Sequence, residues 1–378
     1  MGTLPRPDAL EEICTRYERP RDDASFGTLV PRMIAKVVQE QAALGIAIVN
    51  DGEYGKRGGF SYYAQTRVSG IESRESRGPL PSRNITGRDA IDFPGYYATR
   101  PQATVTRRAD AARPLNQPMF CTGPLKYIGR ADAQFDIDNV LRAAEGLDVQ
   151  PFLSAVAPGT IEHWLWNEYY KTDDDLLFAI ADAMREEYTM ITRAGILLQI
   201  DDPDLPDGWQ MYPEMTVDRY RAYADRRVEA LNHALRGIPP EMVRLHVCWG
   251  SGHGPHKNDI PLRDIVDLVL KVRAGCYSVE AANARHEHEW EVWQNVSLPD
   301  GKTLMPGVVG HASDVVEHPE LVAQRIVRFA NLVGRENVIA GTDCGLGSRV
   351  SHPEIAWAKL QALVEGAARA TTILWPRC

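Results

Sequence analysis

The stretch Val243-Arg244-Leu245-His246-Val247 runs directly into Cys248-Trp249-Gly250, so a short apolar run ends in an imidazole and a thiol. The same arrangement recurs along the chain. Leu44 to Val49 runs into Asn50-Asp51-Gly52-Glu53, Ile196 to Ile200 into Asp201-Asp202-Pro203, and Val338 to Ala340 into Gly341-Thr342-Asp343-Cys344. Each reads as a strand followed by a loop of reactive residues. Between them, Asp174 to Ala194, Val217 to Arg236, Leu262 to Arg273 and Pro319 to Leu332 repeat apolar residues at three and four positions, the period of an amphipathic helix. Alternating strand and helix predicts a parallel α/β fold. An open doubly wound sheet gathers its ligands near one switch point, whereas here they are spread over the whole chain. That spread favours a closed barrel, whose site lies at the C-terminal ends of the strands.

At 378 residues, with 44% hydrophobic and 25% charged residues, the chain has the composition of an ordinary globular protein with a sizeable core. It reads as a single barrel domain over 1–378, with an irregular insertion at 73–116 that is rich in Arg, Pro and Ser and carries a short hairpin around Ala103 to Arg107. The formal charge of −9 comes with no basic stripe, which argues against nucleic acid as a partner. No apolar stretch of membrane-spanning length occurs, and the first residues lack the apolar core of a signal peptide, so a cytoplasmic protein with no membrane partner is expected. Six cysteines at irregular spacing do not make a disulfide framework, and a reducing compartment leaves their thiols free for metal. Gly52, Gly55 and Gly58-Gly59 miss the dinucleotide spacing, so nicotinamide cofactors are not indicated. A homo-oligomer is left open.

His246 and Cys248 are two apart, which in a strand places both on one face. Alone the pair is a weak metal signal. Cys344 strengthens it, because it ends another short apolar run and lies between glycines that free the backbone to present a thiol. Glu280, at the end of the strand-like Cys276-Tyr277-Ser278-Val279, closes a His-Cys-Glu-Cys set suited to zinc. Asp343, beside Cys344, is placed to orient a ligand. The alternative for Cys344 is a small buried residue in a turn, and for His246 a core histidine satisfied by hydrogen bonds.

Taken in order, Gly2-Thr3-Leu4-Pro5-Arg6-Pro7, Asp51-Gly52-Glu53, Thr122-Gly123-Pro124, Gln199-Ile200-Asp201-Asp202-Pro203, His246-Val247-Cys248, Val279-Glu280 and Asp343-Cys344-Gly345-Leu346 resemble the cobalamin-independent methionine synthase family. The match is to the catalytic, C-terminal half of those longer enzymes. The resemblance implies a (β/α)8 TIM barrel with zinc held by His246, Cys248, Glu280 and Cys344. It implies methyl transfer in which a zinc-bound thiolate attacks an alkyl carbon, so the partners are a small-molecule thiol acceptor and an alkyl donor. Carboxylates matching Glu53 and Asp201 hold the amino group of homocysteine in the family, and Gly2-Thr3 stands where a Gly-Ser grips its carboxylate. The simpler reading of Glu53 and Asp201 is capping of a following helix. Tyr127 is the nearest aromatic to pack a pterin, with core packing as its alternative role. The single-barrel epoxyalkane:coenzyme M transferases share the zinc chemistry and form a rival reading, in which an epoxide is opened and its oxygen protonated. Among His253, His256, His286, His288 and His311, His311 lies nearest to where the family carries its proton donor and ranks first. A non-enzymatic, zinc-stabilised protein is the third reading, for which a saturated four-ligand site without a pocket is expected.

Overall fold

A computed structural model describes residues 2–16, 20–56, 60–74, 87–99, 118–250, 252–347 and 349–376. The strands among them are β1 (Ile48–Asn50), β2 (Ile71–Ser73), β3 (Met119–Cys121), β4 (Gln150–Val156), β5 (Leu165–Asn167), β6 (Leu197–Asp201), β7 (Val243–Val247), β8 (Cys276–Val279), β9 (Thr303–Val309) and β10 (Gly341–Thr342). Seven form a curled parallel sheet in the order β1-β4-β6-β7-β8-β9-β10. The expected TIM-barrel architecture is therefore present.

Among the described residues no ladder joins β10 to β1. Residues 2–4 lie between their ends instead: Leu4 N donates to Gly52 O at 3.2 Å, Asn50 Nδ2 to Gly2 O at 2.9 Å, and Gly347 N to Thr3 O at 2.8 Å. Gly345 has no alternative at this crossing, because a Cβ there would sit 2.6 Å from Thr3 N.

The helices follow the periodicity of the sequence closely. Asp173–Arg193 starts at Thr172, whose side chain accepts from Asp175 N, and it buries Leu176, Leu177, Ile180, Met184, Tyr188 and Ile191 along one stripe. Val217–Ala234 and Pro319–Val333 pack in the same way. Leu262 to Arg273 is broken into a 3-10 turn, Leu262–Asp264, and a short helix, Val266–Lys271. The predicted run at Val338 to Ala340 is shifted, since the paired residues are Gly341–Thr342 and Val338 makes only an isolated bridge to Leu304.

Alternation along the strands separates two environments. Leu198 and Ile200 of β6, Leu245 and Val247 of β7, and Tyr277 and Val279 of β8 belong to the apolar layer shared with the helices. The opposite face is polar, where Arg244 Nε donates to Gln199 Oε1 at 2.8 Å and Gln199 Nε2 to Asp201 Oδ1 at 2.7 Å. The polar face leads to the strand ends, where the reactive loops meet.

The insertion is described only in part. Its residues 87–99 form two short helices, Gly87–Asp92 and Pro94–Thr99, while the hairpin expected around Ala103 to Arg107 lies outside the described residues. Strands β2 and β3 pair antiparallel and bracket the insertion, and β5 joins β3 in parallel. Asp89 accepts from Lys257 N and Asn258 N, which ties the insertion to the loop after β7. Among the described residues no helix is long and apolar enough to cross a membrane.

Candidate metal centre

Strand β7 ends by presenting His246 and Cys248, and the turn after β10 presents Cys344. One ligand atom from each lies within 4.8 Å of the others. His246 Nδ1 meets Ser278 Oγ at 3.2 Å, and its Nε2 is buried on the far side of the ring. The His246 imidazole also faces the Cys344 thiol, whose hydrogen bond raises it against burial. The donors, two thiols and an imidazole, are those that zinc prefers.

The two thiols are not equivalent. A hydrogen bond with Cys248 draws Cys344 well below the usual thiol range, against burial and with help from His246 and His311. The same hydrogen bond, together with burial, pushes Cys248 up.

Glu280 does not join the other three predicted ligands at the same separation. Its 4.8 Å neighbours are His311 and Asp343. Its Oε1 accepts from Trp249 N at 3.1 Å, and its Oε2 from Asn283 Nδ2 at 2.6 Å and Arg285 NH2 at 2.7 Å. Asp343 accepts from Ala281 N, Ala282 N and Asn283 Nδ2 at 2.8–2.9 Å, so it fixes the loop that carries Glu280. Burial and the nearby Glu280 raise Asp343 to about 6, with His311 opposing. His311 is fully buried, and neither ring nitrogen has a hydrogen-bond partner.

Asp201, at the end of β6, lies close enough to His246, Cys344 and Glu53 for their charges to act on it, and Glu53 follows the end of β1. Glu53 sits at φ 60°, a left-handed conformation held by its N–H donating to Asp51 Oδ1 at 2.9 Å. For a non-glycine residue such a turn costs about 1 kcal/mol and is retained where the side chain must be aimed. Its carboxylate accepts from Ser154 Oγ at 2.6 Å and from the Thr3 hydroxyl. Gly2 lies against the same carboxylate, a Cβ there standing 3.4 Å from Glu53 Oε1. Asp201 is raised to about 6 by burial, with His246 opposing and Glu53 and Cys344 adding to the rise. Among the described residues neither carboxylate caps a helix.

The remaining histidines are elsewhere. His256 and His286 both bond Asp259, His286 also bonds Glu289 and stacks on Trp249 at 3.9 Å, and His253 and His288 are exposed. Tyr127 is buried with its hydroxyl donating to Glu187 at 2.5 Å, which is the core-packing role. Reasoning from sequence did not single out Ser154, Ser278 or Asn283. Asn283 had a readable signal, three residues after Glu280 in the same loop, whereas Ser154 lies on a strand that the reading passed over.

The catalytic-domain model of the cobalamin-independent synthases matches residues 143–369. Methionine synthase of Saccharolobus solfataricus is 29% identical over 217 residues, covering 57% of this chain and 56% of that protein. The Thermococcus kodakarensis methionine synthase is 29% identical over 213 residues, 55% of this chain and 54% of that protein. The matched region thus spans just over half the length of these curated relatives. Among solved structures, the B12-independent methionine synthase of Shewanella sp. W3-18-1, in complex with selenomethionine, superposes with a TM-score of 0.71 at 20% identity over 99% of this chain and 97% of that one. A putative vitamin-B12 independent methionine synthase from Listeria monocytogenes gives 0.65 at 15% identity over 100% and 96%. At these identities the two structures speak for the fold. With the family model covering more than half of the sequence, the chain belongs to the cobalamin-independent synthase family through its catalytic domain.

Proposed function

We propose that this chain is a zinc-dependent methyltransferase that alkylates a small-molecule thiol, with homocysteine as the acceptor. The observation that carries this reading is the meeting of His246, Cys248 and Cys344 at the strand ends, with Glu53 and Asp201 facing them. Those three residues would hold zinc, which when bound would keep an acceptor sulfur in its thiolate form at neutral pH.

The other steps fall to the chain's own side chains. Glu53 and Asp201 form an anionic wall that fits the ammonium group of an amino-acid thiol. Gly2 and Thr3 reach the same wall; the Thr3 hydroxyl donates to Glu53 and orients it, which leaves the backbone there to meet the acceptor's carboxylate. As the sulfur forms its bond to the methyl carbon, the bond from carbon to the donor's leaving atom breaks. His311, buried and without a hydrogen-bond partner, supplies the proton that the leaving atom takes up. Asp343 and Glu280 lie beside it.

The same wall weighs against a sulfonated thiol opening an epoxide, because a sulfonate at that position meets two carboxylates. Glu280's position outside the ligand cluster weighs against a saturated, purely structural zinc site. The test is a paired assay of the zinc-loaded protein, homocysteine with a methyl-tetrahydropteroyl donor against coenzyme M with a short epoxide. Methionine is the expected product. Turnover of the sulfonated pair alone contradicts the assignment.

A further inference from the structure

His311 is fully buried, and among the described residues neither nitrogen of its ring has a hydrogen-bond partner. The ring therefore takes its direction from packing and from the backbone that carries it. The residue before it, Gly310, gives its N–H to Glu317 Oε1 at 2.8 Å, and the other oxygen of Glu317 accepts from Lys359 Nζ at 3.0 Å. Lys359 Nζ also donates to Val315 O. A Cβ at Gly310 would stand 3.3 Å from Glu317 Oε1 and 3.7 Å from both Ala282 O and Asp343 Oδ2, so the backbone is closely flanked there. The loop from Gly310 to Glu317 is thus drawn into a ring, closed by Glu317 and pinned at Lys359 to helix Pro353–Leu374. Lys359 lies on the buried stripe of that helix with Ala356, Leu360, Leu363, Gly366 and Ala370, and its side chain is fully buried. Lysine is almost never found there unless paired, and a buried ion pair is often no more stabilising than apolar residues of the same volume. Packing alone does not account for a lysine at this position, and both of its acceptors belong to the loop that starts at His311.

We infer that Lys359 and Glu317 are positioning residues that aim His311 through the Gly310 N–H. This rests on the reading of His311 as the proton donor and adds to it the device that holds the donor in place. The pair fixes the backbone and leaves the ring without side-chain bonds, so the imidazole gives its proton to the leaving atom without first breaking a hydrogen bond of its own. Neither residue belongs to the group formed by Glu280, His311 and Asp343, so the pair acts on the reaction only through the chain segment that it grips.

The test is a double-mutant cycle on the full chain with Lys359→Met, Glu317→Gln and both together, each made with and without His311→Gln. Two quantities are read: kcat and acceptor KM in the methyl-transfer assay, and the NMR resonance of the His311 ring at Cε1, identified by its loss in His311→Gln. His311→Gln alone tests the proton-donor reading. If it leaves kcat unchanged that reading fails, while the resonance still decides whether the pair positions the ring. Each single substitution leaves one charge of the pair without its partner and should lower kcat about 10- to 100-fold with acceptor KM changed less than about threefold, because a displacement of about 1 Å suffices for such a loss. The His311 resonance should shift in both. The two substitutions together remove both charges, while the amide oxygen of residue 317 still accepts from the Gly310 N–H, so kcat should return to within about fivefold of the natural value and the resonance toward its place. With His311→Gln present, none of the three should lower kcat further. The inference is overturned if the resonance keeps its place in both single variants, or if kcat falls by the same factor whether residue 311 is histidine or not. It is equally overturned if the double variant is no better than the worse single one. Should Lys359→Met not fold, Glu317→Ala, in the loop, cuts the same bridge; the same loss of kcat and shift of the resonance are expected of it, and an unmoved resonance overturns the inference.

Discussion

In the proposed function Glu53 and Asp201 set the charge that an acceptor meets, and each can be neutralised without changing its shape. Loss of a charge-assisted hydrogen bond costs about 1.5–3 kcal/mol, so Glu53→Gln or Asp201→Asn should raise the acceptor's KM roughly ten- to hundredfold with a smaller effect on kcat. Unchanged KM values in both variants would remove the pair from the acceptor site. His311→Gln should act differently, lowering kcat by about 10²–10⁴ at unchanged acceptor affinity if the imidazole supplies the proton to the leaving atom. Equal turnover of His311→Gln and the natural protein contradicts that role. Most of these side chains could be read in the sequence because they end apolar runs. What could not be read is which of the four metal-type residues face one another. Glu280 has the right chemistry and the right place on its strand, and the loop residues Asn283 and Arg285 that hold its Oε2 were not read in the sequence.

Strands and helices carry consequences of their own. Helix Pro319–Val333 and helix Pro353–Leu374 pack together at Gly366, where a Cβ would drive into Val322 and stand 2.9 Å from Pro319 O. Alanine gains up to about 1 kcal/mol in helix propensity over glycine, while overpacking costs about 1–3 kcal/mol. The backbone contact cannot be relieved by a rotamer change, so Gly366→Ala should lower the melting temperature. A rise would show that the helices part easily. The loop after β7 is held by His286: burial would depress its imidazole, but hydrogen bonds to Asp259 and Glu289 outweigh that and raise it to about 9. Because the folded value lies above the ordinary 6.5, its stabilisation is complete below about pH 6.5 and is lost as pH rises through 9. A melting temperature that declines between pH 7 and 10, and declines less in His286→Gln, is the expected profile. The same slope in both proteins excludes the imidazole as the cause. Helix positions followed from periodicity because each buries a single stripe, but β4 was missed. It opens with Gln150-Pro151 and carries Ser154 toward the polar face, so it lacks the unbroken apolar run that marked the others.

At the scale of the whole molecule, a chain of strands ending in reactive residues becomes a ring only because its first residues bond to both sides of it. Thr3, which receives Gly347 N and reaches Glu53, links the outer strands and the Glu53 carboxylate at one point. The barrel was legible because its reactive residues are distributed over the whole length, a pattern that a single switch point does not produce. The insertion was legible only as a break in periodicity, since the contacts that fix its described part, Asp89 with the loop at Lys257 and Asn258, are far apart in sequence. The central claim is that His246, Cys248 and Cys344 together hold a metal. Metal analysis of the purified chain beside its Cys248→Ser and Cys344→Ser variants tests it most directly. One equivalent of zinc per chain, lost in both variants while each remains folded, is the predicted result. Absence of zinc from the natural chain, or full zinc in both serine variants, contradicts it.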